Sequence, residues 1–310
     1  MQTSGSPDAA RALPSARWAH ADGELFVLSE AANPGARDVL ANGADRIRET
    51  SHFVVFAFGD ATVVLHGLEP PEVDNDLAEL VAGELVRPGR VAIPDAFERC
   101  FAGVVRSSAP DPREAWRAFY GNTLSRLREV APGTLPEDYG PIAVFGRIYE
   151  HARRLVVGSS LLDVGTCFGF FPLMLQEAKP ELEVVALDLS APILELARDA
   201  ALSQEHANPA RFVQGDACDL PFADGSFDTV AALHVMEHLN PLDASRALRE
   251  TCRVARRRVI VAVPMEEEAD LAYDHAQSFD RERLISFGRE TGWRCRFEEY
   301  LGGWVILEPS

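Results

Sequence analysis

The sequence predicts an α/β fold with a seven-stranded, mostly parallel sheet, a C-terminal antiparallel hairpin, and a small α+β unit in front of it. Three observations carry this. From Ser159 onward, short apolar runs alternate with amphipathic stretches, the pattern of a Rossmann-like sheet with helices on both faces. The last two apolar runs are separated only by Leu301-Gly302, too short for anything but an antiparallel turn. Before Ser159 the rhythm differs and prolines punctuate it.

In order, residues 1–20 are polar and proline-bearing and read as a disordered leader. Residues 21–108 read as an accessory α+β domain. Its strands are expected at 24–28 and 53–58, with 61–66 as a hairpin partner across Gly59-Asp60, and its helix at 74–85. Residues 109–158 read as a helical cap. One helix is expected over 112–130, where Trp116, Tyr120, Leu124 and Leu127 recur at helical spacing, and a second over 141–157. The main domain, 159–310, gives strands at 161–164, 183–188, 211–213, 227–233, 259–263, 293–300 and 303–308. Helices fall between them, reaching 176, then over 191–203, 242–254 and 280–291.

The formal net charge is -18. Such a surface repels phosphate backbones, so nucleic acid is not expected as a partner. A neutral small-molecule acceptor and a cationic cofactor fit it. The five cysteines are odd in number and contain no C-x-x-C pair, which argues for reduced thiols and a cytoplasmic setting. No run of about 20 apolar residues is present, so no membrane span is expected. Oligomeric state is not legible.

Four segments point to a cofactor. Leu162-Asp163-Val164-Gly165-Thr166-Cys167-Phe168-Gly169 is a strand running into a glycine-bearing turn and a helix. Asp188 ends the next strand, where an acid can accept from ribose hydroxyls. Gly215-Asp216-Ala217 precedes Leu220-Pro221-Phe222 and Ser226-Phe227-Asp228. His234-Val235-Met236-Glu237-His238-Leu239 follows the fourth strand.

In these segments the chain resembles the class I S-adenosylmethionine-dependent methyltransferases, over roughly residues 140–310. The resemblance implies that Asp163 holds the methionine amino end and that Gly165, Thr166 and Gly169 line the cofactor. It places Asp188, with Leu189 beside it, at the ribose, and Asp216 and Ala217 at the adenine. His234 falls beside the methionine moiety and Tyr149 above its end. Cys167 stands where the family motif has its middle glycine, and its backbone is expected to avoid glycine-only angles. The Gly-Thr-Cys-Phe-Gly-Phe-Phe loop and the long N-terminal extension also look like the mycofactocin oligosaccharide methyltransferases, which implies a glycan or glycosylated metabolite as acceptor.

The expected chemistry is O-methylation with a histidine as general base, and His234, His238 and His275 are the candidates. Some relatives bind a divalent ion through an acid-x-x-Glu-His cluster. Glu237 and His238 match it, but His234 replaces the first acid and no further ligand is visible, so a metal is not expected. Asp228 reads as structural, and Arg253 with Arg256-Arg257-Arg258 as a solvated helix end. N- or C-methylation and a non-catalytic partner protein are the alternatives. An NAD(P) oxidoreductase fits poorly, because the first turn lacks Gly-x-Gly-x-x-Gly.

Overall fold

The computed structural model describes residues 16–130, 140–204 and 208–310. Residues 1–15 of the expected leader lie outside them. Among the described residues the chain divides into two compact units, one holding 16–129 and 140–143, the other holding 130, 144–204 and 208–310. The expected cap at 109–158 is therefore split. Helix Pro112–Glu129 stays with the first unit, and most of helix Pro141–Leu155 belongs to the second.

The N-terminal unit is built on five strands: β1 (Ala19–Asp22), β2 (Leu25–Ser29), β3 (Arg46–Glu49), β4 (Phe53–Phe58) and β5 (Ala61–His66). Their order is β1-β2-β5-β4-β3, and β4 and β5 form the expected antiparallel hairpin. β1 begins inside the expected leader, and β3 was not expected. β3 is an edge strand of sequence Arg-Ile-Arg-Glu with almost no buried face, so it has no apolar alternation to betray it. Helix Ala96–Ser107, also unexpected, packs on β2 so closely that a Cβ on Gly103 would come 2.4 Å from Val27 Cγ2. The expected helix over 74–85 is a short α-helix, Leu77–Val81, continued by a π-turn over Ala82–Val86.

The second unit carries the remaining strands: β6 (Ser160–Val164), β7 (Glu183–Asp188), β8 (Arg211–Gln214), β9 (Phe227–Leu233), β10 (Ala255–Val263), β11 (Arg294–Glu299) and β12 (Gly303–Glu308). The order is β11-β12-β10-β9-β6-β7-β8. β8, β7, β6, β9 and β10 run parallel, and β12 pairs antiparallel with both β10 and β11. This is the expected seven-stranded sheet with its terminal hairpin. Central strands such as β6 are buried at every position, as a sheet covered on both faces requires.

The strand order reverses between β6 and β9. In open α/β sheets that switch point opens a crevice beyond the C-terminal strand ends. β6 and β9 are neighbours there, Val164 pairing with Ala232, so the glycine turn after β6 and the histidine segment after β9 emerge side by side.

One expectation is corrected here. Arg256, Arg257 and Arg258 are not a helix end, because β10 already begins at Ala255. Arg256 pairs with Asp228 at 3.3 Å, and Arg258 binds Glu308 and the Leu155 carbonyl. Asp228 is structural as expected, accepting from the Ser159 amide at 2.8 Å.

Candidate cofactor and acceptor site

The turn after β6 is shaped by close approach. Gly165 has φ +70, and a Cβ there would lie 2.5 Å from Val235 Cγ2. Gly169 has φ +73 and stands at the N-terminus of helix Phe170–Ala178, where a Cβ would meet Phe212 at 3.0 Å. The amides of Gly165 and Thr166 both donate to the Leu187 carbonyl, stitching the turn to β7. Cys167 departs from its expectation. It sits at φ +49, in the left-handed region that glycine favours and that other residues enter at a cost of about 1–2 kcal/mol. Asp188 holds it there: Oδ2 accepts from the Cys167 amide at 2.8 Å, and Oδ1 from the Ser190 amide at 2.9 Å.

Asp163 is the penultimate residue of β6, with its side chain buried. Burial pushes its carboxyl up to about 7, the Asp188 charge adds to this, and Thr166 works in the opposite direction. Tyr149 lies on helix Pro141–Leu155, its ring 5.6 Å from that of Phe171. Burial, then the Cys167 thiol and Asp163, push its phenol above the ordinary tyrosine range.

At the next two strand ends, the Gly215 amide donates to the Asp188 carbonyl, and Gly215 has no room for a Cβ, with Leu187 Cδ1 2.8 Å away. Asp216 is exposed and caps the Cys218 amide through Oδ1, with Ala217 between them. Leu189 is 71% exposed, an apolar side chain presented to solvent directly after the carboxylate of Asp188.

These residues fit S-adenosylmethionine. The buried Asp163 carboxyl can ionise as an ammonium group arrives and then pair with it. The carboxylate of Asp188 keeps acceptor lone pairs beyond its two backbone donors. Leu189 offers an apolar face for a ring.

Beyond β9 the chain turns sharply. His234 has φ +56, and its amide donates to the Ala262 carbonyl at 2.8 Å. Its ring packs edge-on against Phe145 at 5.3 Å, and Nδ1 lies 3.2 Å from Glu237 Oε1. Glu237 is 1% exposed, and neither of its carboxylate oxygens has a hydrogen-bond donor in good geometry.

Residues 270–277 fold back onto this turn. The amides of Ala276 and Gln277 donate to the Glu237 carbonyl, and Gln277 Nε2 donates to the carbonyls of Met236 and Leu239. That clamp brings His275 to His238, with ring centroids 4.9 Å apart. His275 is buried, and its Nδ1 lies 2.9 Å from Glu266 Oε2. His238 remains exposed as a residue, but desolvation lowers its pKa, with His275 adding and Glu237 and the Asp274 carbonyl opposing. One ligand atom each from Glu237, His238 and His275 lies within 4.8 Å of the others. His275, 37 residues after His238, is thus the third member of this group, one that the sequence spacing did not reveal.

All three candidate histidines gather at the end of β9. The candidates for the methionine end, Asp163, Thr166 and Tyr149, surround the neighbouring turn, while Asp188, Leu189, Asp216 and Ala217 lie at the adjoining strand ends. Sequence reasoning missed Phe145, although it lies one helical turn before Tyr149 on the same face. It also missed Glu266, which reads as one of three consecutive glutamates.

Residues 162–263 match a family model described as a methyltransferase domain. With this topology and these motifs, the second unit is a methyltransferase domain of the class I, S-adenosylmethionine-dependent family. Ajmaline N-methyltransferase of Rauvolfia serpentina is 30% identical over 155 residues, 48% of this chain and 50% of its own length. Demethylmenaquinone methyltransferase of Thermus thermophilus is 39% identical over 94 residues, 30% of this chain and 41% of its own. The chain therefore spans about half or less of the curated relatives it matches. Among solved structures, magnesium protoporphyrin IX methyltransferase of Synechocystis with bound SAH is 18% identical. It covers 64% of this chain and 100% of its own, with a TM-score of 0.44. Among the described residues no helix is long and apolar enough to cross a membrane.

Proposed function

We propose that this protein transfers the methyl group of S-adenosylmethionine to a hydroxyl of a small molecule, with His234 as general base. The observation that carries this is the His234–Glu237 pair beside the glycine turn. Bound S-adenosylmethionine supplies an electrophilic methyl on a sulfonium, so the transfer is an in-line displacement that needs alignment and exclusion of water. Asp163 anchors the methionine end of the cofactor, Asp188 its ribose, and Asp216 with Ala217 its adenine. Glu237 Oε1 lies 3.2 Å from His234 Nδ1, off the line of a hydrogen bond, and the ring's Nε2 is left to take the hydroxyl proton. The side chain of His234 is 21% exposed, enough for an acceptor to reach it. His275 has Nδ1 committed to Glu266, and His238 lies further along the turn, so neither is as well placed.

A neutral acceptor suits the acidic surface, and sugars and glycosylated metabolites are the first class to try. The test is transfer from labelled S-adenosylmethionine to a panel of glycosides, phenols and amines. His234→Ala is expected to slow transfer by about 10²–10⁴-fold while leaving S-adenosylhomocysteine affinity within about threefold. A product methylated on nitrogen or carbon, or a rate indifferent to His234, contradicts the proposal.

A further inference from the structure

The geometry points to a divalent metal site made by Glu237, His238 and His275 at the end of β9. We infer that it takes a first-row transition ion such as Zn²⁺. Three features support this beyond the mere proximity of the ligands.

First, Glu237 is a 1%-exposed carboxylate, and His234 Nδ1, 3.2 Å from Oε1, is off the line of a hydrogen bond. A buried carboxylate without donors costs free energy, and a cation is the group that removes that cost. Second, one of the imidazoles is already steered from behind: the Glu266 carboxylate lies 2.9 Å from Nδ1 of His275. Metal-ligating histidines are oriented in this way, the far nitrogen bound to a carboxylate or carbonyl and the near one left for the ion. Third, the backbone that sets the spacing is rigid, because the Ala276, Gln277 and Glu237 hydrogen bonds tie the two loops together.

The ligand atoms lie within 4.8 Å of one another. Ligands of a tetrahedral zinc at about 2.1 Å are about 3.4 Å apart, so small rotamer adjustments close the site. Two imidazoles and one carboxylate suit zinc and its neighbours better than Mg²⁺ or Ca²⁺, which prefer all-oxygen shells. Three protein ligands leave a coordination position open, as in catalytic rather than structural sites. That position would take the acceptor's hydroxyl, lowering its pKa and fixing its direction. This role rests on the methyl-transfer reading, whereas the presence of the ion does not.

The experiment is calorimetric titration of the chelator-treated, desalted full chain with Zn²⁺, with Mg²⁺ as the comparison ion and Co²⁺ absorption as a spectroscopic readout. One equivalent of Zn²⁺ is expected to bind at micromolar Kd or tighter, with no Mg²⁺ binding in that range. The visible Co²⁺ bands of a low-coordinate site are expected alongside. Glu237→Gln and His275→Ala should each weaken Zn²⁺ at least tenfold, and Glu266→Gln severalfold. Thermal unfolding of each variant shows whether it is folded, and Glu266→Gln keeps the test open if a ligand variant is not. No Zn²⁺ binding, or binding indifferent to these substitutions and so held elsewhere, overturns the site. A parallel titration with S-adenosylhomocysteine separates the two ideas: cofactor binding without metal binding removes the ion and leaves the methyltransferase reading intact.

Discussion

Asp188→Ala is expected to weaken S-adenosylhomocysteine binding by about 100-fold, roughly what the loss of one or two charge-assisted hydrogen bonds costs. Two effects combine. The variant lacks the acceptor proposed for the ribose hydroxyls, and it also orphans the amides of Cys167 and Ser190, both now bonded to the Asp188 carboxylate. Without that restraint Cys167 is free to leave φ +49, and the turn relaxes away from the ligand. Isothermal titration reads the loss, and near-UV circular dichroism shows that the fold is retained. Affinity within threefold of the parent would remove Asp188 from the site.

Asp163→Asn is expected to act on stability and binding in opposite directions. The folded carboxyl is held up to about 7, against 3.8 for an ordinary aspartate, mainly by burial. A group whose folded pKa is raised binds protons more tightly in the native state. The contribution of Asp163 to stability without ligand is therefore fully present below about pH 4, is lost as pH rises from there to about 7, and is flat above. The full difference is about 4 kcal/mol, from about three units at 1.36 kcal/mol each. Asparagine does not ionise, so the variant should lack this decline and melt higher than the parent at pH 8. It should also bind S-adenosylhomocysteine at least tenfold more weakly, because a neutral amide does not hold an ammonium as a carboxylate does. In the parent, binding at pH 6 should release about one proton, since an arriving ammonium favours the ionised carboxyl. At pH 8 the release should vanish. Calorimetry in buffers of different ionisation enthalpy measures it. A variant that melts lower at pH 8 and binds as tightly as the parent would contradict both halves.

The second unit was more legible than the first because its constraints are periodic. Buried strand stretches such as residues 259–263 are apolar at every position, and most of the parallel strands are followed by a helix, so all seven strands can be placed. The N-terminal unit hides its edges. β3 is charged on nearly every residue, and β1 has a weak apolar signal next to a polar terminus. Helix Ala96–Ser107 does carry helical spacing in Cys100, Phe101, Val104 and Val105, but Gly103 within it reads as a breaker. It is in fact the point of closest approach to Val27.

The residues proposed to hold the cofactor each sit at or beside a strand end within a local motif, so their placement in the fold was legible. The grouping beyond β9 was not. The partnership of Glu237, His238 and His275 is made by a loop that returns over three dozen residues, held by Gln277 to carbonyls that no sequence pattern marks. Cys167 shows a further limit. Its side chain suggested a turn without glycine-like angles, yet tertiary bonding to Asp188 keeps the backbone in the left-handed region.

Titration of the purified full chain with S-adenosylhomocysteine, in the presence of a chelator, tests the account most directly. One site per chain with micromolar affinity is expected, weakened about 100-fold in Asp188→Ala and kept in His234→Ala. An absence of binding up to millimolar ligand, in protein shown to be folded, would contradict it. Such a result would leave a methyltransferase fold that no longer holds its cofactor.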